Sequence, residues 1–133
     1  MNVPSMDEFE KYVDEAMKML PKEFREKLDN VSIFIEDLPT REQIGKFDAR
    51  HENFTLLGLY EGVPQTRRSN YGVGGAVPDK ITLFRYPILS FAHSQEHLIE
   101  LIRDTLWHEI GHHFGMSEED IRKAQAKNRL KVV

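Results

Sequence analysis

The spacing of apolar residues along the chain predicts four helices, because side chains three or four positions apart share one face of a helix. In the first helix Phe9 and Val13 lie on one face, and Ser5 precedes an acidic first turn as an N-cap. Pro21 and Gly115 mark helix ends. The predicted helices cover residues 7–20, 21–29, 94–114 and 117–128, and residues 40–47 are compatible with a short helical turn.

Runs of β-branched and aromatic residues predict three short strands, which cover residues 31–35, 54–60 and 81–86. Pro87 is expected to end the last of these strands. The connection 61–78 is rich in Gly, Pro, Ser and Asn, and its stretch Gly72–Gly75 lacks the Lys-Ser/Thr pair of a phosphate-binding loop. Helices and strands together predict a single α/β or α+β domain over residues 1–133.

Composition and charge narrow the possible classes of protein. A length of 133 residues with 40% hydrophobic and 30% charged positions is typical of one folded domain rather than of a disordered chain. The net charge of -4 and the scattered Lys and Arg residues argue against a nucleic-acid partner. No stretch approaches about 18 consecutive apolar residues, which argues against a membrane span. Since the chain lacks cysteine and a signal-peptide layout, a cytoplasmic location is expected.

The end of the long predicted helix carries the strongest chemical signal, the motif H-E-x-x-H. His108 and His112 are four residues apart, so their rings lie one above the other on a helix and are able to hold a single metal ion. Glu109 is one position further round the helix, where its carboxylate reaches an activated water without becoming a ligand. The apolar residues Leu106 and Ile110 fall on the opposite side, which is expected to face the core.

A catalytic zinc ion usually has three protein ligands, and the sequence offers three candidates for the third. Glu118 lies ten residues after the first histidine of the motif, beyond Gly115, which lets the chain reverse its direction. Glu118 is the predicted ligand, and Asp120 and His51 are the alternatives. The acidic residues after Ser117 also suit the first turn of the last helix, so a capping role and a ligand role are both open.

Several polar and aromatic residues near the motif are secondary candidates. His93 and His97 are also four residues apart but lack the H-E-x-x-H pattern, so a polar surface pair is expected rather than a second metal site. Asp104 lies one turn before the motif and either orients the first histidine or pairs with Arg103. Trp107 is expected to pack in the core. Candidates for stabilising a tetrahedral oxyanion are Tyr71, Arg85 and His113.

With this motif the chain resembles the zincin metallopeptidases, and closely the small bacterial minimal-zincin family, whose signature is H-E-x-x-H-x-x-G-x-x followed by an acid. The resemblance covers Leu56–Gly62 and Pro78–Arg85 in addition to the motif. It implies a minimal zincin-like α+β fold, in which a short twisted mixed sheet packs on the active-site helix. It also implies one zinc ion bound by His108 and His112, with Glu109 as general base. Glu118 stands where the family commonly has an aspartate as third ligand.

The function predicted from the motif and the resemblance is zinc-dependent hydrolysis of peptide bonds. The expected substrate is a peptide or an unfolded protein segment, which adds along a sheet edge near Ile81–Tyr86. The segment 61–78 is then placed to cover the cleft. The alternative is a metal-binding interaction protein with a zincin fold and little or no turnover. Hydrolysis of a non-peptide amide, or a non-haem iron site with two histidines and a carboxylate, are further readings.

Overall fold

The computed structural model of the chain describes residues 2–48, 56–62 and 79–131. These residues form six α-helices and a mixed sheet of three strands, so the predicted α+β class is confirmed. The elements follow the order α1 (Met6–Lys18), α2 (Lys22–Lys27), a 3-10 turn (Leu28–Asn30), β1 (Val31–Glu36), α3 (Arg41–Asp48), β2 (Gly58–Glu61), β3 (Asp79–Phe84), α4 (Arg85–Phe91), α5 (Gln95–His113) and α6 (Glu118–Lys131).

Side chains at the helix starts explain where α1 and α5 begin. The Ser5 hydroxyl accepts a hydrogen bond from the Glu8 N–H at 3.2 Å, and the Ser5 N–H donates to the Glu8 carboxylate at 3.1 Å. The bond from the Ser5 backbone, followed by the one with its side chain, lowers the pKa of Glu8. Ser94 caps α5 in the same way by accepting from the His97 N–H at 3.1 Å. The predicted cap at Ser5 is therefore confirmed, and Ser94 is a second cap, at the predicted start of the long helix.

The end of α5 is formed by a glycine turn. Gly115 has a φ of +83°, a left-handed conformation that residues with a Cβ rarely adopt. Its N–H donates to the His112 carbonyl at 3.1 Å, and the Met116 N–H donates to the Gly111 carbonyl at 2.8 Å. These two bonds satisfy carbonyls that the end of a helix would otherwise leave unpaired. The turn then directs the chain into α6.

The three strands lie in the order β1-β3-β2, with β3 parallel to β1 and antiparallel to β2. Ile81 in the middle strand is opposite Ile33 on one side and Tyr60 on the other. The expectation of a free sheet edge near Ile81–Tyr86 is wrong, because β3 is paired along both of its sides. In the described sheet the edges are β1 and β2.

Helix α4 was not foreseen, because Pro87 was taken as the end of a strand that continued to Tyr86. The strand ends at Phe84, and Pro87 lies in the first turn of α4. Proline is tolerated there because the first N–H groups of a helix have no partner within the helix. The fully buried side chain of Ile88 then holds α4 against the core.

The core of the described region lies between the sheet and the helices α1 and α5. Trp107 is 1% exposed, and its ring contacts that of Phe24 with centroids 5.3 Å apart, as expected for a packing residue. None of the described helices has the length and apolar character needed to cross a membrane. The single domain over residues 1–133 stays a prediction. Further fully buried members of the core are Phe9, Ile81, Leu83, Ile88, Leu98, Ile102, Leu106 and Ile121.

Candidate metal centre and active site

The last turns of α5 carry the three residues of the H-E-x-x-H motif on a half-buried face. His108, Glu109 and His112 are all partly accessible, whereas Leu106 and Ile110 on the other side of the helix are at most 1% exposed. The helix thus has one face in the core and one face with the polar motif, as the spacing predicted. This division leaves the candidate ligands where a small molecule is able to reach them.

The two imidazole rings of the motif suit one metal ion. The ring centroids of His108 and His112 are 5.9 Å apart, with the planes inclined by 60°. Two imidazoles bound to one tetrahedral zinc ion at a Zn–N distance of about 2.0–2.1 Å have their centroids about 5 Å apart. Small changes in side-chain torsion cover the difference, so this donor pair fits a zinc ion.

The predicted third ligand remains untested. Glu118 is the first residue of α6, but its side chain lies outside the described residues, as does all of His51. Asp120 is exposed, and its N–H donates to the Ser117 hydroxyl at 3.1 Å, which confirms the capping pattern. Within the described part of the chain, no group of three or more His, Asp or Glu side chains is arranged around a common ion.

The turn after α5 nevertheless brings the start of α6 against the motif. Gly111, the residue before His112, is buried, and a Cβ at this position would lie 2.8 Å from the side chain of Ile121. The two helices therefore approach each other as closely as a glycine allows. This contact brings Ile121, in the first turn of α6, against the last turns of α5.

Strand β2 runs along the other side of the motif and contacts it directly. The Tyr60 N–H donates to the Glu109 carboxylate at 2.8 Å. The alternation of hydrogen bonds along an antiparallel pair explains the direction of this N–H. The Phe84 N–H donates to the Leu57 carbonyl, so the main-chain groups of odd-numbered residues in β2 face β3. The N–H of Tyr60, an even-numbered residue, therefore points away from β3. A Cβ at Gly58 would lie 2.7 Å from the Thr105 side chain, one turn before Glu109.

This contact between strand and motif was missed by sequence reasoning. The available signal was Gly58, since a glycine inside a strand often marks the close approach of another backbone or element. Here the glycine lets β2 lie close to α5. As a result, a main-chain N–H of the sheet edge reaches the carboxylate of the predicted general base.

A buried polar cluster lies next to this contact. The Tyr60 hydroxyl donates to Asp79 Oδ2 at 2.8 Å, and Nε2 of His113 lies 3.8 Å from the same oxygen. The rings of Tyr60 and His113 are stacked, with centroids 3.9 Å apart and planes inclined by 12°. The side chains of Asp79 and His113 are 2% and 4% exposed. His113 was considered as an oxyanion stabiliser, and the structure instead packs it in this cluster.

The remaining secondary candidates lie elsewhere or have other partners. Arg85 bonds to Asp37 at 2.9 Å and to the Pro4 carbonyl at 3.2 Å, and the hydrogen bond with Asp37 raises the pKa of its guanidinium. It lies at the opposite end of β3 from Asp79, about 20 Å along the strand, and so is not brought to the motif. Asp104 pairs with Arg103 at 3.0 Å. Tyr71 lies outside the described residues.

Comparison with known proteins agrees with the geometry of the site. A comparison with curated proteins gives no match. The sequence profile of zincin-like metallopeptidases matches residues 28–127, a span that begins before β1 and includes the motif and most of α6. This match covers well over half of the chain. The chain therefore belongs to the zincin-like metallopeptidase family.

Proposed function

We propose that this protein is a zinc-dependent peptidase, with His108, His112 and Glu118 as metal ligands and Glu109 as general base. The observation that best supports the proposal is the hydrogen bond of 2.8 Å from the Tyr60 N–H to the Glu109 carboxylate. This bond fixes the carboxylate between the histidine pair and an edge of the sheet. The family match adds support for hydrolysis of peptide bonds.

The residues of the chain have distinct tasks in the proposed reaction. When bound, zinc would polarise the peptide carbonyl as a Lewis acid and lower the pKa of a bound water molecule. Glu109 takes the proton of the attacking water and passes it to the leaving amine. The Tyr60 N–H holds one oxygen of this carboxylate and so restricts its rotation, which keeps the base aligned for proton transfer.

The proposed substrate is an extended peptide or an unfolded protein segment. Edges of sheets bind such segments through main-chain hydrogen bonds. In the described sheet, β2 is the edge strand beside the motif, and the main chain of Gly58 faces away from β3. The Tyr60 N–H faces the same way but is bound to Glu109, so it is not among the groups proposed to bind the segment. This edge replaces the one first expected near Ile81–Tyr86. The cytoplasmic location and the absence of a nucleic-acid partner stay predictions.

Digestion of a peptide library by the purified chain with one equivalent of zinc tests the proposal. We expect Glu109→Gln to retain zinc, measured by elemental analysis, and to lose activity by about 10²–10⁴-fold, the usual contribution of a general base. Glu100→Gln is the matched control, because Glu100 is an exposed carboxylate on the same helix. It should cleave the library at the wild-type rate.

Two outcomes would contradict the proposal in different ways. Full activity of zinc-loaded Glu109→Gln would show that another group takes the proton. A zinc-loaded wild-type chain that cleaves no member of the library would instead favour the metal-binding interaction protein with little or no turnover.

A further inference from the structure

Asp79 is a buried acid that takes no part in the chemistry proposed above. It is 3% exposed and lies at the first position of β3. Burial of a carboxylate is unfavourable unless hydrogen bonds and nearby positive groups compensate for the lost water. The Tyr60 hydroxyl donates such a hydrogen bond at 2.8 Å, and His113 Nε2 lies 3.8 Å from the same oxygen. The carboxylate therefore has a defined place in the fold.

Among the described residues, Tyr60 and His113 both contact Asp79, and they belong to the two elements that carry the proposed site. Tyr60 lies on β2, His113 is the last residue of α5, and their rings are stacked at 3.9 Å. One carboxylate thus connects β3, the sheet edge and the end of the motif helix. A Cβ at Gly62 would overlap Asp79 Oδ1, so the chain after β2 also packs closely against the acid.

Tyr60 connects this cluster to the proposed base, because its side chain contacts the cluster and its main chain contacts Glu109. Its side chain is held by Asp79 and His113, while its main-chain N–H donates to Glu109 at 2.8 Å. In a strand, a side chain fixed at its far end also restricts the backbone that carries it. A shift of the Tyr60 ring would therefore move the N–H that holds the carboxylate.

We propose that Asp79 is a positioning residue that fixes β2 against the last turn of α5 through the Tyr60 hydroxyl and the stack of Tyr60 on His113. It thereby keeps the Tyr60 N–H on the Glu109 carboxylate. This inference rests on the proposed function for the role of Glu109, whereas the contacts that it concerns exist with or without turnover.

Amide hydrogen exchange of the full chain loaded with zinc, followed by NMR, tests the proposal without any assay of activity. Leu59 and Tyr60 are adjacent, but the Leu59 main chain faces β3 and the Tyr60 N–H faces Glu109. In Asp79→Asn and in Tyr60→Phe we expect exchange at residue 60 to become at least about tenfold faster, with exchange at residue 59 changed less than about twofold.

Two matched variants control for the chemistry of the substitutions. Asp37→Asn and Tyr86→Phe change an acid and a tyrosine that contact Arg85, far from the motif. Neither should alter exchange at residue 60. If Asp79→Asn fails to fold, Tyr60→Phe decides, because it removes one oxygen atom and retains the stacked ring.

Both contrary results would overturn the proposal. Equal acceleration at residues 59 and 60 would mean that Asp79 only stabilises the sheet. Unchanged exchange at residue 60 would mean that the N–H is held without Asp79.

Kinetics separate this inference from the proposed function. If the wild-type chain cleaves peptides, Asp79→Asn should lower kcat about ten- to a hundredfold, the range known for partners that orient a catalytic group, with KM changed less than about twofold. Raised KM with unchanged kcat would contradict a positioning role. A wild-type chain without peptidase activity would refute the proposed function, and the exchange result would still decide the inference about Asp79.

Discussion

Two histidine pairs with the same sequence spacing, one near each end of α5, differ in the geometry of their rings. His93 and His97 form a nearly parallel stack with centroids 4.8 Å apart and planes inclined by 8°. The His93 N–H donates to His97 Nδ1 at 3.1 Å, so this ring nitrogen is already occupied. The centroids of His108 and His112 are 5.9 Å apart and their planes are inclined by 60°, so these two rings are not stacked on each other.

The position of each pair relative to the helix explains the difference. His93 precedes the N-cap Ser94, so it does not share the helical geometry of His97. His108 and His112 both lie within α5, one turn apart on one face. A glutamate lies within each pair, but Glu96 is exposed, whereas Glu109 is held by the edge of β2. Two histidines four residues apart therefore indicate a metal site only when both lie within one helix and a neighbouring element holds the glutamate between them.

The largest expected effect is on zinc affinity. We expect His112→Ala to weaken zinc binding by about a thousandfold, because structural zinc sites gain about 10–16 kcal/mol in total and each ligand contributes several kcal/mol. His97→Ala should leave the affinity of the tight site unchanged. Competition with a chromophoric chelator measures both values.

Equal zinc affinities of His97→Ala and His112→Ala would contradict the contrast between the two histidine pairs. If His97→Ala weakened zinc binding as much as His112→Ala, the stacked pair would also bind zinc. Since the two regions are about 16 Å apart along the helix, they do not share one ion, and such a result would require a second site.

The next largest expected effect is on the free energy of unfolding, after a substitution in the core between the two ends of α5. Leu106→Ala removes a fully buried side chain from the middle of α5, and we expect it to lower the free energy of unfolding by about 2–5 kcal/mol. Leu38→Ala is the matched control, because Leu38 is 61% exposed and should change stability by less than about 0.5 kcal/mol. Urea unfolding of the chain measures both.

The result for Leu106→Ala also tests whether the two ends of α5 depend on one packed helix. If the variant were as stable as the wild type, Leu106 would not contribute to the core of the protein. The division of α5 into a core face and a site face would then be wrong.

Local features of the chain were predictable from the sequence to the extent that local interactions determine them. Ser5, Ser94 and Gly115 set helix ends through contacts within a few residues. Ser5 and Gly115 were identified from their type and position, and the long helix was predicted to start at about Ser94. Helix α4 was missed because Pro87 suits both a strand end and a first helical turn. Only the burial of Ile88 against the core, a long-range interaction, decides between them.

The contacts around the motif were beyond the reach of sequence reasoning. The order of the strands depends on pairing between segments far apart in the chain, which is why β3 was mistaken for an edge. The bond from Tyr60 to Glu109 joins residues 49 positions apart. The sequence analysis did not single out Asp79, which precedes the predicted strand 81–86, and only its burial next to Tyr60 and His113 reveals the cluster.

The smallest expected effect concerns the end of α5 that carries the stacked histidines. Ser94→Ala removes the acceptor of the His97 N–H, and we expect it to lower the free energy of unfolding by about 1 kcal/mol, the usual value of an N-cap. Zinc affinity should not change, because the proposed metal site lies at the opposite end of the helix. Thermal unfolding measured with and without zinc separates the two effects. An equal loss of stability in both conditions is expected, whereas a larger loss in the zinc-bound chain would mean that the two ends of α5 are coupled.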